Sequence, residues 1–181
     1  VSAARNNGVD KAIGEYVAFL DHDDLWPPDF LETMVKSLEK ATDFGVAYSP
    51  ITVRYPDGTE TVSYKHPEGK SGWLATDLFK SGFVWTSASV IRKEALNHCR
   101  YDESLKRSYE DGDFFLRLSK ETKFLFVDDV QAIHRIHGKN LSTEAGTMDT
   151  RVRVLERFYY QGAGYKIVPE AVARKKLSHF I

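Results

Sequence analysis

The chain has 181 residues, 42% of them hydrophobic and 13% aromatic, with a formal net charge of −1. That is enough apolar material for one domain, or one domain with an appendage, and the near-neutral balance argues against a nucleic-acid partner. Cys99 is the only cysteine, so an intrachain disulfide is excluded and a reducing compartment is expected, while no apolar run approaches the roughly 20 residues of a membrane span and none reads as a signal peptide.

Residues 3–13 carry Ala4, Val9, Ala12 and Ile13 in a helical rhythm, and Gly14 stands where a C-cap glycine belongs. The helix starts abruptly, with no strand or cap before it, so a fragment of a larger domain is expected. Residues 16–20 are a short apolar run, the pattern of a strand buried on both faces. After an acidic loop, Pro27 and Pro28 open a helix with Phe30, Met34, Val35 and Leu38 on its apolar face. Residues 44–53 read as a strand. The turn Pro56-Asp57-Gly58 then leads into a second strand over 59–64, which predicts a hairpin. A short helix over 73–80, a strand over 86–91 and one or two helical turns over 93–98 follow. A helix over 110–120, a strand over 124–130, a loop over 134–142, and helices over 151–160 and 171–181 complete the chain. Helices alternating with strands argue α/β, and the hairpin argues a mixed sheet.

The most informative stretch is Asp21-His22-Asp23-Asp24, placed just past a buried-looking strand. Carboxylates crowded this closely repel one another and need a divalent cation or a hydrogen-bonding network. In an extended segment Asp21 and Asp23 point the same way, which suits Mg²⁺ or Mn²⁺. The alternative is a solvated turn before a helix. An EF-hand is excluded, because Trp26 stands where the loop needs glycine.

Three other clusters carry potential chemistry. In Ser108-Tyr109-Glu110-Asp111-Gly112-Asp113, Ser108 reads as a helix cap and the acids as partners of the helix dipole. Asp111 lies three and four residues before Phe114 and Phe115, so it shares their inward side and could serve as a general base. His134 and His137, three apart on an extended segment, face opposite sides, so at most one is expected in a shared site. Arg5 could bind a phosphate or a base edge, or be an exposed helix residue.

Taken in order, the ARNNG of residues 4–8, the GEYVAFLDHDD of 14–24, the proline-rich helix start, Glu110-Asp111 and the RIHGKNLS of 135–142 resemble the family 2 glycosyltransferases of the GT-A fold. The resemblance spans nearly all of residues 3–142. It implies an α/β fold with a mixed, mostly parallel sheet flanked by helices. Residues 1–145 would form a partial GT-A domain lacking the N-terminal nucleotide-binding strands, and 146–181 a C-terminal helical extension. It further implies inverting, metal-dependent transfer of a sugar from a nucleotide-diphosphate-sugar donor, a UDP-sugar first among them. The acceptor would be a hydroxyl of a glycan or lipid-linked molecule.

By the same resemblance Asp21 and Asp23 form the DxD motif holding ribose and metal, with His22 between them at the donor. His137 completes metal or diphosphate contacts, Arg5 and Asn6 face the nucleotide, Asp111 is the base, and Trp85 and Glu110 line the acceptor side. A cytoplasmic location follows, at the inner face of a membrane if the basic last helix (Arg174, Lys175, Lys176) touches lipid.

The chain departs from the pattern in two places. The early strands are missing, which leaves an exposed sheet edge and predicts weak nucleotide-sugar binding by this polypeptide alone. Cys99-Arg100-Tyr101-Asp102 replaces a Gly-x-Phe-Asp. A nucleotidyl- or phosphoryl-transfer enzyme, and a non-catalytic sugar-binding module on the same fold, are the competing readings.

Overall fold

The computed structural model describes residues 1–63, 69–105, 109–137 and 147–178. In chain order these form α1 (Ser2–Lys11), β1 (Tyr16–Ala18), β2 (Asp24–Leu25), α2 (Phe30–Lys40), β3 (Phe44–Tyr48), β4 (Ile51–Arg54) and β5 (Glu60–Ser63). Then come α3 (Ala75–Lys80), β6 (Ser89–Arg92), α4 (Glu110–Leu118), β7 (Lys123–Phe126), β8 (Ala132–Arg135), α5 (Thr147–Glu156) and α6 (Glu170–Ser178).

The strands build two four-stranded sheets, ordered β1-β6-β3-β7 and β2-β8-β4-β5. The first sheet is covered on both faces, and the side-chain period of two explains how. Val17, Val46, Tyr48, Ile91 and Phe124 point into a core shared with α3, α4 and the C-terminal helices. Tyr16, Ala18, Ala47, Val90 and Leu125 point the other way, onto Phe30, Met34 and Leu38 of α2. Those three α2 residues recur every four positions, which is the stripe read from the sequence. Leu155, Phe158, Tyr159, Val168 and Ala173 belong to the first core, so the C-terminal segment packs into the same hydrophobic interior.

The mixed α/β architecture is as expected, but a parallel majority is not found. Among the described residues only β3–β7 and β4–β8 pair in parallel, against four antiparallel pairings. The sequence order β1, α2, β3 does set β1 and β3 in the same direction. However, β6 slots between them and runs against both.

Residues 44–53 are not one strand. The chain leaves the first sheet after Tyr48 and joins the second at Ile51. Pro50 lacks an N–H for a ladder, and the Ser49 N–H bonds the Ala88 carbonyl instead. The β4–β5 hairpin forms as predicted, with Gly58 at φ +85 and the Asp57 carboxylate accepting from the Thr59 N–H. Gly14 does not cap α1, which ends at Lys11, and the Ala12 N–H returns to Gly8 and Val9. Two strands were not anticipated, β2 at the end of the acidic run and β8, which extends into the start of the stretch read as a loop. The residues 64, 108, 138–145 and 179–181 that figured in sequence expectations, including the Ser108 cap and the Asn140 and Ser142 positions, lie outside the described residues.

The core makes a direct prediction. Phe124 is fully buried on β7 against Phe115 and Tyr48. Phe124→Ala should cost about 3–5 kcal/mol, measured as a lower urea midpoint at unchanged slope.

Candidate functional site

Arg5 is the centre of the site. It lies on the inner face of α1 with 8% of its side chain exposed. Its Nη1 donates to Asp111 Oδ1 at 2.5 Å, and its Nη2 donates to Asp21 Oδ1 at 2.7 Å. Glu110 Oε1 is 3.9 Å from the same Nη1, and the Tyr101 ring lies 5.0 Å from the guanidinium carbon. One cation thus joins the segment after β1 to the first turn of α4. Burial by itself would lower the Arg5 pKa, but Asp111, Tyr101 and Asp21 more than reverse this and raise it.

Asp111 stands with a raised pKa, pushed up to about 6. Burial is the largest cause; Arg5 pulls the value down, Glu110 and Asp21 push it up, and a hydrogen bond from Thr86 opposes them. Its side chain is still 35% exposed, so the carboxyl is packed against protein yet reachable. The residue of α4 buried most deeply among its acids is Asp113, not Asp111. It is 2% exposed, with both oxygens taken by arginines. The pair Asp113–Arg117, at i and i+4, was a readable signal in the sequence.

The acidic run does not stay extended. The Asp24 N–H bonds the Asp21 carbonyl, and the Asp21 N–H bonds Ser87 Oγ. The expectation that Asp21 and Asp23 share one side therefore fails, because a turn separates their side chains. Asp21 goes to Arg5, whereas Asp23 Oδ2 meets His137 Nε2 at 3.0 Å. Burial tends to raise the Asp23 pKa, but the hydrogen bond to His137 and other favourable contacts bring it below the usual carboxylate value. Arg135 Nε also donates to the Asp23 carbonyl at 2.6 Å.

One position along, Asp24 is buried and pairs with His134 Nδ1 at 2.8 Å. The cause is register: Asp24 on β2 lies opposite His134 on β8. The ring of Trp85 packs 5.4 Å from that of His134. Both histidines reach the run, each at its own carboxylate, His134 at Asp24 and His137 at Asp23. His22 is 93% exposed and approaches the cluster only at its edge, with Nδ1 3.8 Å from Asp23 Oδ1. Asn6 turns elsewhere. Its carboxamide clamps the backbone of Tyr101 from both sides and donates to Glu103, so it holds the 101–103 loop against α1.

Asp23 offers a carboxylate oxygen, the donor type that suits Mg²⁺ or Mn²⁺, and His137 sets an imidazole nitrogen beside it. No group of three or more metal-binding side chains converges among the described residues. A cation held here would take its remaining positions from water and substrate oxygens, the usual habit of Mg²⁺.

The Asp24–His134 pair has a measurable consequence. The hydrogen bond to Asp24 raises the His134 pKa above 6.5, against the effect of burial. A raised histidine contributes stability that is fully present below its unfolded value and is lost as pH rises through the folded value. Asp24→Asn should lower the His134 pKa in an NMR titration and flatten this part of the stability–pH curve.

The chain matches the model of the family described as glycosyltransferase like family 2 over residues 1–175. It is 33% identical over 141 residues to the amylovoran biosynthesis glycosyltransferase AmsB of Erwinia amylovora, covering 75% of this chain and 46% of that protein. It is 25% identical over 181 residues to the chondroitin synthase of Pasteurella multocida, covering 99% of this chain and 17% of that protein. The chain thus spans about half the length, or less, of these curated relatives. Among solved structures it is similar to S. aureus TarS 1-349 in complex with UDP-GlcNAc, with TM-score 0.68 and 17% identity over 99% of this chain and 51% of that one. It is also similar to the mannosyltransferase PcManGT from Pyrobaculum calidifontis in complex with GDP-Man and Mn²⁺, with TM-score 0.56 and 17% identity over 99% of this chain and 48% of that one. At such identities the two structures establish a shared fold, that of the GT-A nucleotide-sugar transferases. With a family match running through both sheets and every residue of the Arg5 cluster, the chain belongs to the glycosyltransferase-like family 2.

Proposed function

We propose that this chain carries the reacting centre of an inverting, metal-dependent glycosyltransferase. It would move a sugar from a nucleotide-diphosphate donor, foremost a UDP-sugar, to a hydroxyl of a growing glycan or lipid-linked acceptor. The observation that carries this reading is the Arg5 bridge. A single buried guanidinium holds the acid after β1 and the acid opening α4 at hydrogen-bond distance, so a donor-side group and a candidate base share one site. The solved relatives carry UDP-GlcNAc in one case and GDP-Man with Mn²⁺ in the other.

In this reading Asp111 takes the proton of the acceptor hydroxyl. The hydroxyl oxygen attacks the anomeric carbon from the face opposite the diphosphate. The bond from that carbon to the diphosphate oxygen breaks, its electron pair leaves with the diphosphate, and the configuration inverts. A base with a pKa of about 6 is ionised at neutral pH yet still basic enough to accept a proton. Arg5 holds the carboxylate of Asp111 in place while its charge offsets Asp21 and Glu110. Asp23 and His137 would hold Mg²⁺ or Mn²⁺, which when bound neutralises charge on the departing diphosphate. Asp21 would serve the donor, and Glu110, facing Arg5, would border the acceptor with Trp85. We place the reaction at the cytoplasmic side, reaching the inner membrane face when the acceptor is lipid-linked. No helix among the described residues is long and apolar enough to cross a membrane.

Asp111→Asn in the intact protein should lower kcat by about 10²–10⁴-fold with donor affinity kept. Unchanged transfer would end the base assignment. The wild-type kcat/KM should fall as pH drops through about 6, because protonation removes the base, and the asparagine variant should lack that limb. Asp23→Ala and His137→Ala should each weaken Mn²⁺ binding in the presence of UDP by about tenfold, or about 1.4 kcal/mol. Calorimetric titration with Mn²⁺ checks this, and wild-type affinity in both variants would rule the pair out as ligands.

A further inference from the structure

Asp113 is a buried carboxylate two residues past the candidate base, and its two oxygens are divided between two arginines. Arg117, on the same helix, gives Nε and Nη2 to Oδ2 at 2.9 and 2.5 Å. Arg157 gives Nη2 to Oδ1 at 2.7 Å. Arg157 comes from the far end of the chain, where α5 widens into a π-helical turn at Arg157–Gln161. Its neighbours Phe158 and Tyr159 are anchored in the core beside Phe79, so the guanidinium is presented from a fixed backbone.

The second arm of Arg157 reaches a different element. Its Nη1 donates to Asp102 Oδ2 at 2.6 Å. Asp102 in turn accepts from the Ser104 N–H and hydroxyl, and its pKa is held down at about 2, first by Ser104, against burial, and then by Arg157. The 101–103 segment is the one clamped by Asn6 of α1. A closed circuit results: α1 holds the loop through Asn6, the loop holds Arg157 through Asp102, and Arg157 holds α4 through Asp113. The salt bridge Arg5–Asp111 spans the two ends of this circuit.

We propose that Arg157, and through it the C-terminal helical segment, is a positioning residue for sugar transfer that sets the distance between Arg5 and Asp111 without touching substrate. The proposal rests on the reading of Asp111 as the base. Arg117 neutralises Asp113 from within α4 and reaches the Arg100 carbonyl. Arg157 alone among the described residues joins carboxylates of both the loop and α4. Losing it leaves Asp113 with Arg117, so the fold should survive while α4 gains freedom to rotate. A displacement of about 1 Å at a reacting group can cost about 100-fold in rate.

A cavity of about 330 Å³ adjoins Arg157, lined also by Ser104, Leu105, Thr150, Arg153 and Val154. It gives a free guanidinium ion a way to the gap left by truncation, and this supplies the test. In the intact protein, Arg157→Ala should lower kcat by about 10- to 100-fold with the donor Kd within about twofold of wild type. Guanidinium chloride at sub-denaturing concentration should restore kcat, and sodium chloride at the same ionic strength should not. Arg157→Lys should fall between wild type and alanine. In the Asp111→Asn background, Arg157→Ala should add little further loss. An unchanged kcat would overturn the proposal. So would joint loss of kcat, donor affinity and Tm without guanidinium response, or a full independent loss on top of Asp111→Asn. If Asp111→Asn itself keeps transfer, the base reading falls separately. The Arg157 proposal then stands or falls on whether Arg157→Ala shifts the amide resonances of residues 110–113 and guanidinium returns them.

Discussion

A guanidinium taken out of water demands anions close by, and around Arg5 the demand is met from two distant parts of the chain. Asp21 lies 16 residues away and Asp111 lies 106 away. Neither carboxylate could crowd the other, with Glu110 beside them, without the cation between. The cation in turn could not be buried without them. The arrangement therefore makes the end of β1, the inner face of α1 and the start of α4 a single electrostatic unit. It also explains why Asp111 is reachable yet raised to about 6: packing and two neighbouring carboxylates push one way, Arg5 and Thr86 the other.

The sheets decide what meets Arg5. β6 lies between β1 and β3 and brings with it the preceding turn Thr86–Ala88. From that turn Ser87 receives the Asp21 N–H and, through its carbonyl, the Trp26 indole. The acidic run is thereby pinned from the strand side. From the other side β8 pins it again, because its antiparallel register with β2 sets His134 on Asp24 while His137, just past the strand, reaches Asp23. Three consecutive functions are drawn from four residues: Asp21 for Arg5, Asp23 for the candidate metal position and Asp24 for the strand pairing.

Charge pairing at the back of α4 follows the same logic at greater depth. Asp113 is covered almost fully, and two arginines supply donors to its two oxygens. One arginine is local to the helix and the other crosses from the C-terminal segment. The C-terminal helices thus share both a hydrophobic core and a buried ion-pair network with the earlier strands.

Much of the local structure was legible in the sequence. The α2 stripe, the Pro56-Asp57-Gly58 hairpin and the buried first strand depend on neighbours along the chain, and period and turn chemistry report those faithfully. The clustering of acids after β1 and at the head of α4 was legible for the same reason, as was the family resemblance that tied them together. What only the tertiary structure decided are the pairings across long separations. The turn that divides Asp21 from Asp23, the insertion of β6, the β2–β8 register and the reach of Arg157 to Asp113 each arise from partners far apart in the chain, 44 residues in the case of Arg157 and Asp113, or from a backbone bend that such a partner fixes. A sequence shows which charges are present and how they are spaced. Burial, which determines which of them must find each other, exists only once the sheets and helices have closed around them.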